Sequence, residues 1–374
     1  MDWSVGFFLP FSAAFALSVV LMPMARGAGW VDSPCVRKRH RGEVPLVGGV
    51  AIFLAIAAGT AFAGLWREYA VLLAFGAVLL ACGLYDDVKP LSARFRFLAQ
   101  GAAAVVAALV GGVVLHDVGN LVSTGVIALG VAAVPVTAFC FVGVMNAFNM
   151  SDGMDGLAGG LALVTLLSMS YLAVGIRHAE FLTLAAGAVA GFLLLNMRSP
   201  VLGRAKVFMG DAGSLMLGGI LAWFLIDLSQ GADRAFSPSV ALWLFALPLM
   251  DTVSLMIRRI RKGRSPFSPG REHFHHILQR AGFSVGQSGS IMVGLATLLA
   301  IVGVVGSELL IPEPVLFFGF LGVFGVYLWG MSRAWRLVRY LRRQRHTARP
   351  VRFPASVQEE GHYEGIASYY DKAA

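Results

Sequence analysis

Four short stretches of the chain concentrate the residue types that handle phosphates and metal ions. The first is Asp86-Asp87, inside Gly83-Leu84-Tyr85-Asp86-Asp87-Val88-Lys89-Pro90. Adjacent carboxylates repel each other, and beside an apolar run their desolvation is costly. A divalent cation or a basic ligand would relieve both; plain loop polarity is the blander reading. The second runs from Asn146 to Gly156, as Asn146-Ala147-Phe148-Asn149-Met150-Ser151-Asp152-Gly153-Met154-Asp155-Gly156. One helical turn would put Asn149, Asp152 and Asp155 on a single face. The glycines permit a tight turn and close approach of backbone to a ligand. This stretch holds no Lys or Arg, so its acids call for a metal or a donor from elsewhere. Helix capping would explain one of them, not the set.

The third stretch is Lys206-Val207-Phe208-Met209-Gly210-Asp211-Ala212-Gly213-Ser214. At a helix start, Asp211 would either cap the helix or hold a hard cation. Its small neighbours would let phosphate oxygens reach backbone N–H groups at the positive helix end. The fourth is His273-Phe274-His275-His276, preceded by Arg258, Arg259, Arg261, Lys262, Arg264 and Arg271. Imidazoles among guanidiniums suit pyrophosphate. Zinc is the alternative, but no cysteine accompanies the histidines and the nearest acid is Glu272. A solvated basic loop is the third reading. As a set, acids, a metal-ligand candidate, cations and glycine turns fit phosphoryl transfer, where catalysis is mostly positioning and charge neutralisation.

The elements that must position these stretches are overwhelmingly apolar. Of 374 residues, 57% are hydrophobic and 14% charged, with a mean hydropathy of +0.73. Soluble domains carry roughly 25% charged residues, so the bilayer must be the solvent. A spanning helix takes about 20 mostly apolar residues. Eleven candidates lie near 4–24, 47–65, 69–85, 98–115, 121–145, 157–175, 181–196, 212–228, 239–257, 288–307 and 315–332. Pro135 is placed to kink the fifth. The expected fold class is all-α, a polytopic transmembrane helical protein.

If the loops alternate between two sides, 27 of the 30 Lys and Arg fall on one side; Arg67, Arg177 and Arg234 fall on the other. Basic loops face the cytoplasm. The N-terminus is therefore expected outside, the C-terminus inside, and all four stretches on the cytoplasmic face of a bacterial plasma (inner) membrane. The same asymmetry accounts for the net charge of +9 without nucleic acid. The first apolar run has its charge after it, at Arg26, and reads as a retained helix rather than a cleaved signal. Cys35, Cys82 and Cys140 offer no disulfide framework and no zinc spacing. Residues 1–335 are read as a transmembrane domain with cytoplasmic loops, and 336–374 as a basic tail. The run Arg333–Arg343 interleaves cations with apolar residues, as an interfacial helix or a stop-transfer anchor would. Beyond Pro350 the tail is expected to be disordered.

Taken together, these stretches resemble the signatures of the polyprenyl-phosphate N-acetylhexosamine-1-phosphate transferases, glycosyltransferase family 4. Asp32, Pro34, Arg37, Lys38 and His40 look like its first loop, with Pro45 and Gly48-Gly49 following. Asp86-Asp87, Asn149-x-x-Asp152-Gly153-x-Asp155-Gly156, Phe208-Met209-Gly210-Asp211 and His273-x-His275-His276 come next, in order along most of the chain. Pro45-Leu46-Val47-Gly48-Gly49 departs from the Pro-Thr-Met-Gly-Gly of the phospho-MurNAc-pentapeptide translocase branch. Arg271–His276 and Arg280-Ala281-Gly282-Phe283-Ser284 look like the undecaprenyl-phosphate N-acetylglucosaminyl-1-phosphate transferase branch. The basic tail is a departure from the family pattern.

The resemblance implies transfer of a sugar 1-phosphate from UDP-GlcNAc, or another UDP-HexNAc, to undecaprenyl phosphate with release of UMP. It implies Mg²⁺, with Mn²⁺ as a substitute, held by Asp211 and Asn149. Phe208 would stack on uracil, and Asn149 and Asp155 would hold the nucleotide. Asp86 and Asp87 would deprotonate or orient the lipid phosphate, and the step would be direct or pass through Asp152 or Asp155. Arg271, His273, His275 and His276 would meet diphosphate or sugar; Lys38, Arg94 and Arg96 are further phosphate candidates. The expected partners are those two substrates, membrane lipid and a second copy of the chain, with no nucleic acid. The alternative class is a transporter or flippase. It would call for mid-span polar residues and internal repeats, and the spans are nearly free of charge and show no repeat.

Overall fold

The computed structural model describes residues 3–33, 42–198, 202–267, 270 and 272–347. The described chain is helical almost throughout: α1 (Trp3–Gly27), α2 (Gly48–Phe62), α3 (Trp66–Val88), α4 (Ala93–Gly111), α5 (Ala133–Ser151), α6 (Leu157–Leu172), α7 (Ala179–Asn196), α8 (Gly210–Asp227), α9 (Pro238–Leu244), α10 (Ala246–Arg261), α11 (Phe274–Arg280), α12 (Val285–Glu308) and α13 (Glu313–Thr347). Two short strands, β1 (Val31–Asp32) and β2 (Val44–Pro45), pair antiparallel with Val31 opposite Pro45. Among the described residues eight helices are long and apolar enough to cross a bilayer, nine if the bent pair α9/α10 is one span. α2 and α6 have 15 and 16 residues. At 1.5 Å per residue they reach about 23 Å, short of the roughly 30 Å hydrocarbon core. The chain is a polytopic all-α membrane protein.

α8 lies at the centre, packed by α2, α3, α5 and α6. Every residue from Ala212 to Ile226 is buried. Its small residues, Gly213, Gly218 and Gly219, let backbone and side chains of the neighbouring helices approach closely.

Four expectations change. The fifth helix begins at Ala133, not near 121. The preceding stretch folds back on itself instead, with Val118 N–H donating to Ile127 O and Ile127 N–H to Gly119 O. Gly119 and Gly125 take positive φ in that turn. Pro135 sits in the first turn of α5, where a missing N–H breaks nothing, so it makes no kink. The ninth segment is broken, α9 and α10 meeting at 84°. Pro248 has no N–H to give to Leu244 O, and the Thr165 hydroxyl of α6 donates to that carbonyl at 3.0 Å. Finally α11 stands in what reads as a loop.

α13 runs unbroken through Arg333, and Met331, Ala334 and Val338 are buried along one side of it. The residues beyond Thr347 lie outside the described ones.

Candidate active site

The first turn of α8 is the anchor of the site. Its N-cap, Met209, offers no side-chain acceptor. The cap arrives from α3: Asp87 accepts from Asp211 N–H at 2.9 Å and from Ala212 N–H at 3.2 Å. Those two donors are thereby spent, so the phosphate cradle expected at this helix start is closed by a carboxylate of the chain itself. The capping role foreseen for Asp211 likewise belongs to Asp87.

The Asp211 carboxylate turns to α5. Asn149 Nδ2 donates to Asp211 Oδ1 and to Ser214 Oγ, each at 2.8 Å. With its NH₂ so committed, Asn149 has only its carbonyl oxygen left for another partner. Asp211 and Asn149 thus offer two hard oxygen donors side by side. Mg²⁺ is typically bound by one or two carboxylates together with substrate phosphates and water, so the pair fits it. Among the described residues no group of three His, Cys, Asp or Glu gathers as a metal cage.

Close backbone packing sets this geometry. Gly83 on α3 lies so near α8 that a Cβ would stand 2.5 Å from Ala212 N and 2.6 Å from Asp211 O. Gly49, at the start of α2, would meet Gly213 Cα at 2.5 Å. Phe208 N–H donates to Pro45 O, and Gly48 N–H to Phe208 O, both at 2.9 Å. The half-buried Phe208 is therefore held by the segment that follows the first loop.

Asp86, next in sequence to Asp87, faces elsewhere. It is buried, accepts from Leu91 N–H at 2.6 Å, and pairs with Arg96 at 3.0 Å. Arg94 is exposed on the same turn. The helix that would align Asn149, Asp152 and Asp155 stops at Ser151, with Asp152 as its C-cap. Gly153 and Gly156 disfavour its continuation, and Gly156 takes φ 76°. Asp155 is drawn away instead: its Oδ2 accepts from Arg198 Nε at 2.7 Å and Ala205 N–H at 3.2 Å. The donor from elsewhere is Arg198. Asn196 ties the same loops, accepting from Gly156 N–H and donating to Val207 O.

The imidazoles reach this site on α11. The His275 ring packs on Gly153, where a Cβ would lie 3.0 Å from its Nε2. His275 is 3% exposed, and burial, with the neighbouring His276 and His273, pushes it down to about 3, so it is neutral at physiological pH. Its ring centroid is 4.0 Å from that of His276. His273 lies on Asp251 of α10, Nδ1 to Oδ2 at 2.8 Å. Lys38 and Arg271 lie outside the described residues.

Sequence reasoning missed Ser214, Asn196, Arg198, Asp251 and Tyr327. Of these only Asp251 carried a signal, an acid alone in an apolar segment.

Carboxylates, amides and imidazoles from several helices of a membrane bundle gather around the start of α8, a set of groups suited to phosphate chemistry. The model of glycosyl transferase family 4 matches residues 69–229. The chain is 38% identical over 343 residues to the undecaprenyl-phosphate alpha-N-acetylglucosaminyl 1-phosphate transferase of Yersinia pestis, covering 89% of this chain and 92% of that protein. It is 37% identical over 337 residues to the protein of that name from Escherichia coli (strain K12), covering 87% and 90%. For the Haemophilus influenzae protein the figures are 33% over 354 residues, 93% and 99%. The chain belongs to glycosyl transferase family 4.

Proposed function

We propose that the chain transfers GlcNAc-1-phosphate from UDP-GlcNAc to undecaprenyl phosphate, releasing UMP and leaving the sugar on a lipid diphosphate. The carrying observation is the Asp211–Asn149 pair at the α8 start, packed beside the capping carboxylate of Asp87. Whole-length similarity to enzymes of that name supports the choice of substrates. One substrate is a soluble nucleotide, the other keeps its tail in lipid, so the reaction belongs at a bundle end where both arrive.

Asp211 and Asn149 would hold Mg²⁺, or Mn²⁺ in its place, and the bound ion would offset charge developing on the departing UMP. Asp87 keeps that pair oriented. Asp155 and Arg198 latch the two loops that flank the site, and Phe208 offers a half-buried ring for the base. Asp86 holds Arg96 near the start of α4, where Arg94 is exposed, and both are basic groups suited to the lipid phosphate. The test is UMP release by the pure protein supplied with undecaprenyl phosphate, Mg²⁺ and a panel of UDP-sugars. UDP-GlcNAc should be turned over fastest; no UMP from any of them would sink the assignment.

The positive-inside asymmetry supports a cytoplasmic site in a bacterial inner membrane. Ser4 and Ser265 are exposed in regions expected on opposite sides. In a cysteine-free background, an impermeant maleimide should label Ser4→Cys in intact cells and Ser265→Cys only after permeabilisation. Labelling of both in intact cells would overturn the orientation.

A further inference from the structure

Asp251 belongs to none of the acid motifs, yet three hydrogen bonds converge on it. It sits on α10 just past the break at Phe245 and is 6% exposed. Its Oδ1 accepts from Phe274 N–H at 3.1 Å and from the Tyr327 hydroxyl of α13 at 2.8 Å. Its Oδ2 faces His273 Nδ1 at 2.8 Å. α11 has no side-chain cap of its own, so Asp251 caps it from outside, as Asp87 caps α8. The Phe274 and Tyr327 rings meet edge-to-face at 5.8 Å, and the Arg258 guanidinium donates to Glu272 O at 2.7 Å. His275 and His276 are the other titratable groups facing this cluster.

An ionised carboxylate has no proton to give. His273 Nδ1 must therefore carry the hydrogen, and in the neutral ring the lone pair sits on Nε2. Tyr327 and Phe274 load the other carboxylate oxygen and so fix the rotation of Asp251. Ring tautomer and ring orientation are then both set by a residue that itself need not touch the substrate.

We propose that Asp251 is a positioning residue for the transfer reaction: with Tyr327 it holds His273 as the Nδ1–H tautomer and leaves the Nε2 lone pair to accept the proton from a P–O–H of the incoming lipid phosphate. This rests on the functional reading above. Asp251, His273 and Tyr327 all lie beyond the residues that the family model matches.

Asp251→Asn preserves the shape and can still accept from Phe274 N–H and Tyr327 through Oδ1. Its NH₂ then faces His273 and forces the opposite tautomer. In the full-length protein kcat for UMP release should fall about 10- to 100-fold, with KM for UDP-GlcNAc little changed, since ground-state binding is not what is lost. Imidazole ¹⁵N shifts should show the proton moved to Nε2. Added to His273→Gln, Asp251→Asn should cost little more, because the two act as one unit. Tyr327→Phe keeps the ring packing and should lower kcat in the same sense by a smaller factor; it carries the test if Asp251→Asn does not fold. Losses that multiply in the double variant would overturn the role, as would wild-type kcat in Asp251→Asn, or in Tyr327→Phe where that variant stands in. Wild-type protein inactive on every UDP-sugar would instead overturn the functional reading itself.

Discussion

Asp211→Asn should purify and melt like the wild type while releasing UMP at least about a hundred-fold more slowly. The α8 cap does not depend on the Asp211 side chain, because Asp87 bonds the backbone N–H groups of Asp211 and Ala212. Asparagine also keeps an oxygen that can accept from Asn149 Nδ2, the contact Asp211 makes at 2.8 Å. What disappears is one negative charge from a pair of oxygen donors. Disturbing residues that merely support a metal ligand costs about 10- to 100-fold in metal affinity or activity, so removing a charged ligand should cost at least the upper end. The residual activity should require more Mg²⁺. The measurement is UMP release against Mg²⁺ concentration, alongside a thermal melt. Wild-type turnover with an unmoved Mg²⁺ optimum would make Asp211 a structural residue.

Gly83→Ala should damage folding and activity together, although it adds a single methyl group. That methyl would stand 2.5–2.6 Å from Ala212 N and Asp211 O, backbone atoms that cannot rotate aside. α3 and α8 must then part, and overpacking of this kind costs about 1–3 kcal/mol. The separation also stretches the Asp87 bonds to the start of α8 and shifts Asp211. A 1 Å misplacement of catalytic geometry costs on the order of a hundred-fold in rate. Gly101→Ala on α4 is the control. A Cβ there meets nothing within 4 Å, so the change should be neutral or stabilising by up to about 1 kcal/mol through helix propensity. Thermal unfolding in detergent with UMP release on both variants checks the contrast. Equal behaviour would mean that the close approach of α3 to α8 is dispensable.

Much of the helical layout is legible residue by residue. Each expected apolar segment contains a helix in the structure, although 112–115 and 121–129 fall outside any helix; without water the backbone must satisfy its own hydrogen bonds. The break at Phe245 had a visible cause in Pro248, but the Thr165 hydroxyl that takes the freed Leu244 carbonyl comes from another helix, 79 residues away. The stretch 112–132 misled by composition alone: it is apolar, but its glycines turn where a helix would have to continue.

The sequence by itself determined that this is a membrane protein of apolar helices and that its candidate phosphate chemistry lies in short stretches between them. Composition and run length decide the solvent, and residue type decides the chemistry a side chain can perform. Only the tertiary structure decided what each acid faces. Asp86 and Asp87 are neighbours in the chain, but about 100° apart around a helix, so one meets Arg96 and the other the start of α8. Asp155 and Asp211 are likewise claimed by Arg198 and Asn149. Asp251 finds His273 22 residues on and Tyr327 76 residues on. A carboxylate's role depends on which donors lie within about 3 Å of it, and between separate helices that distance is set by packing, not by spacing along the chain.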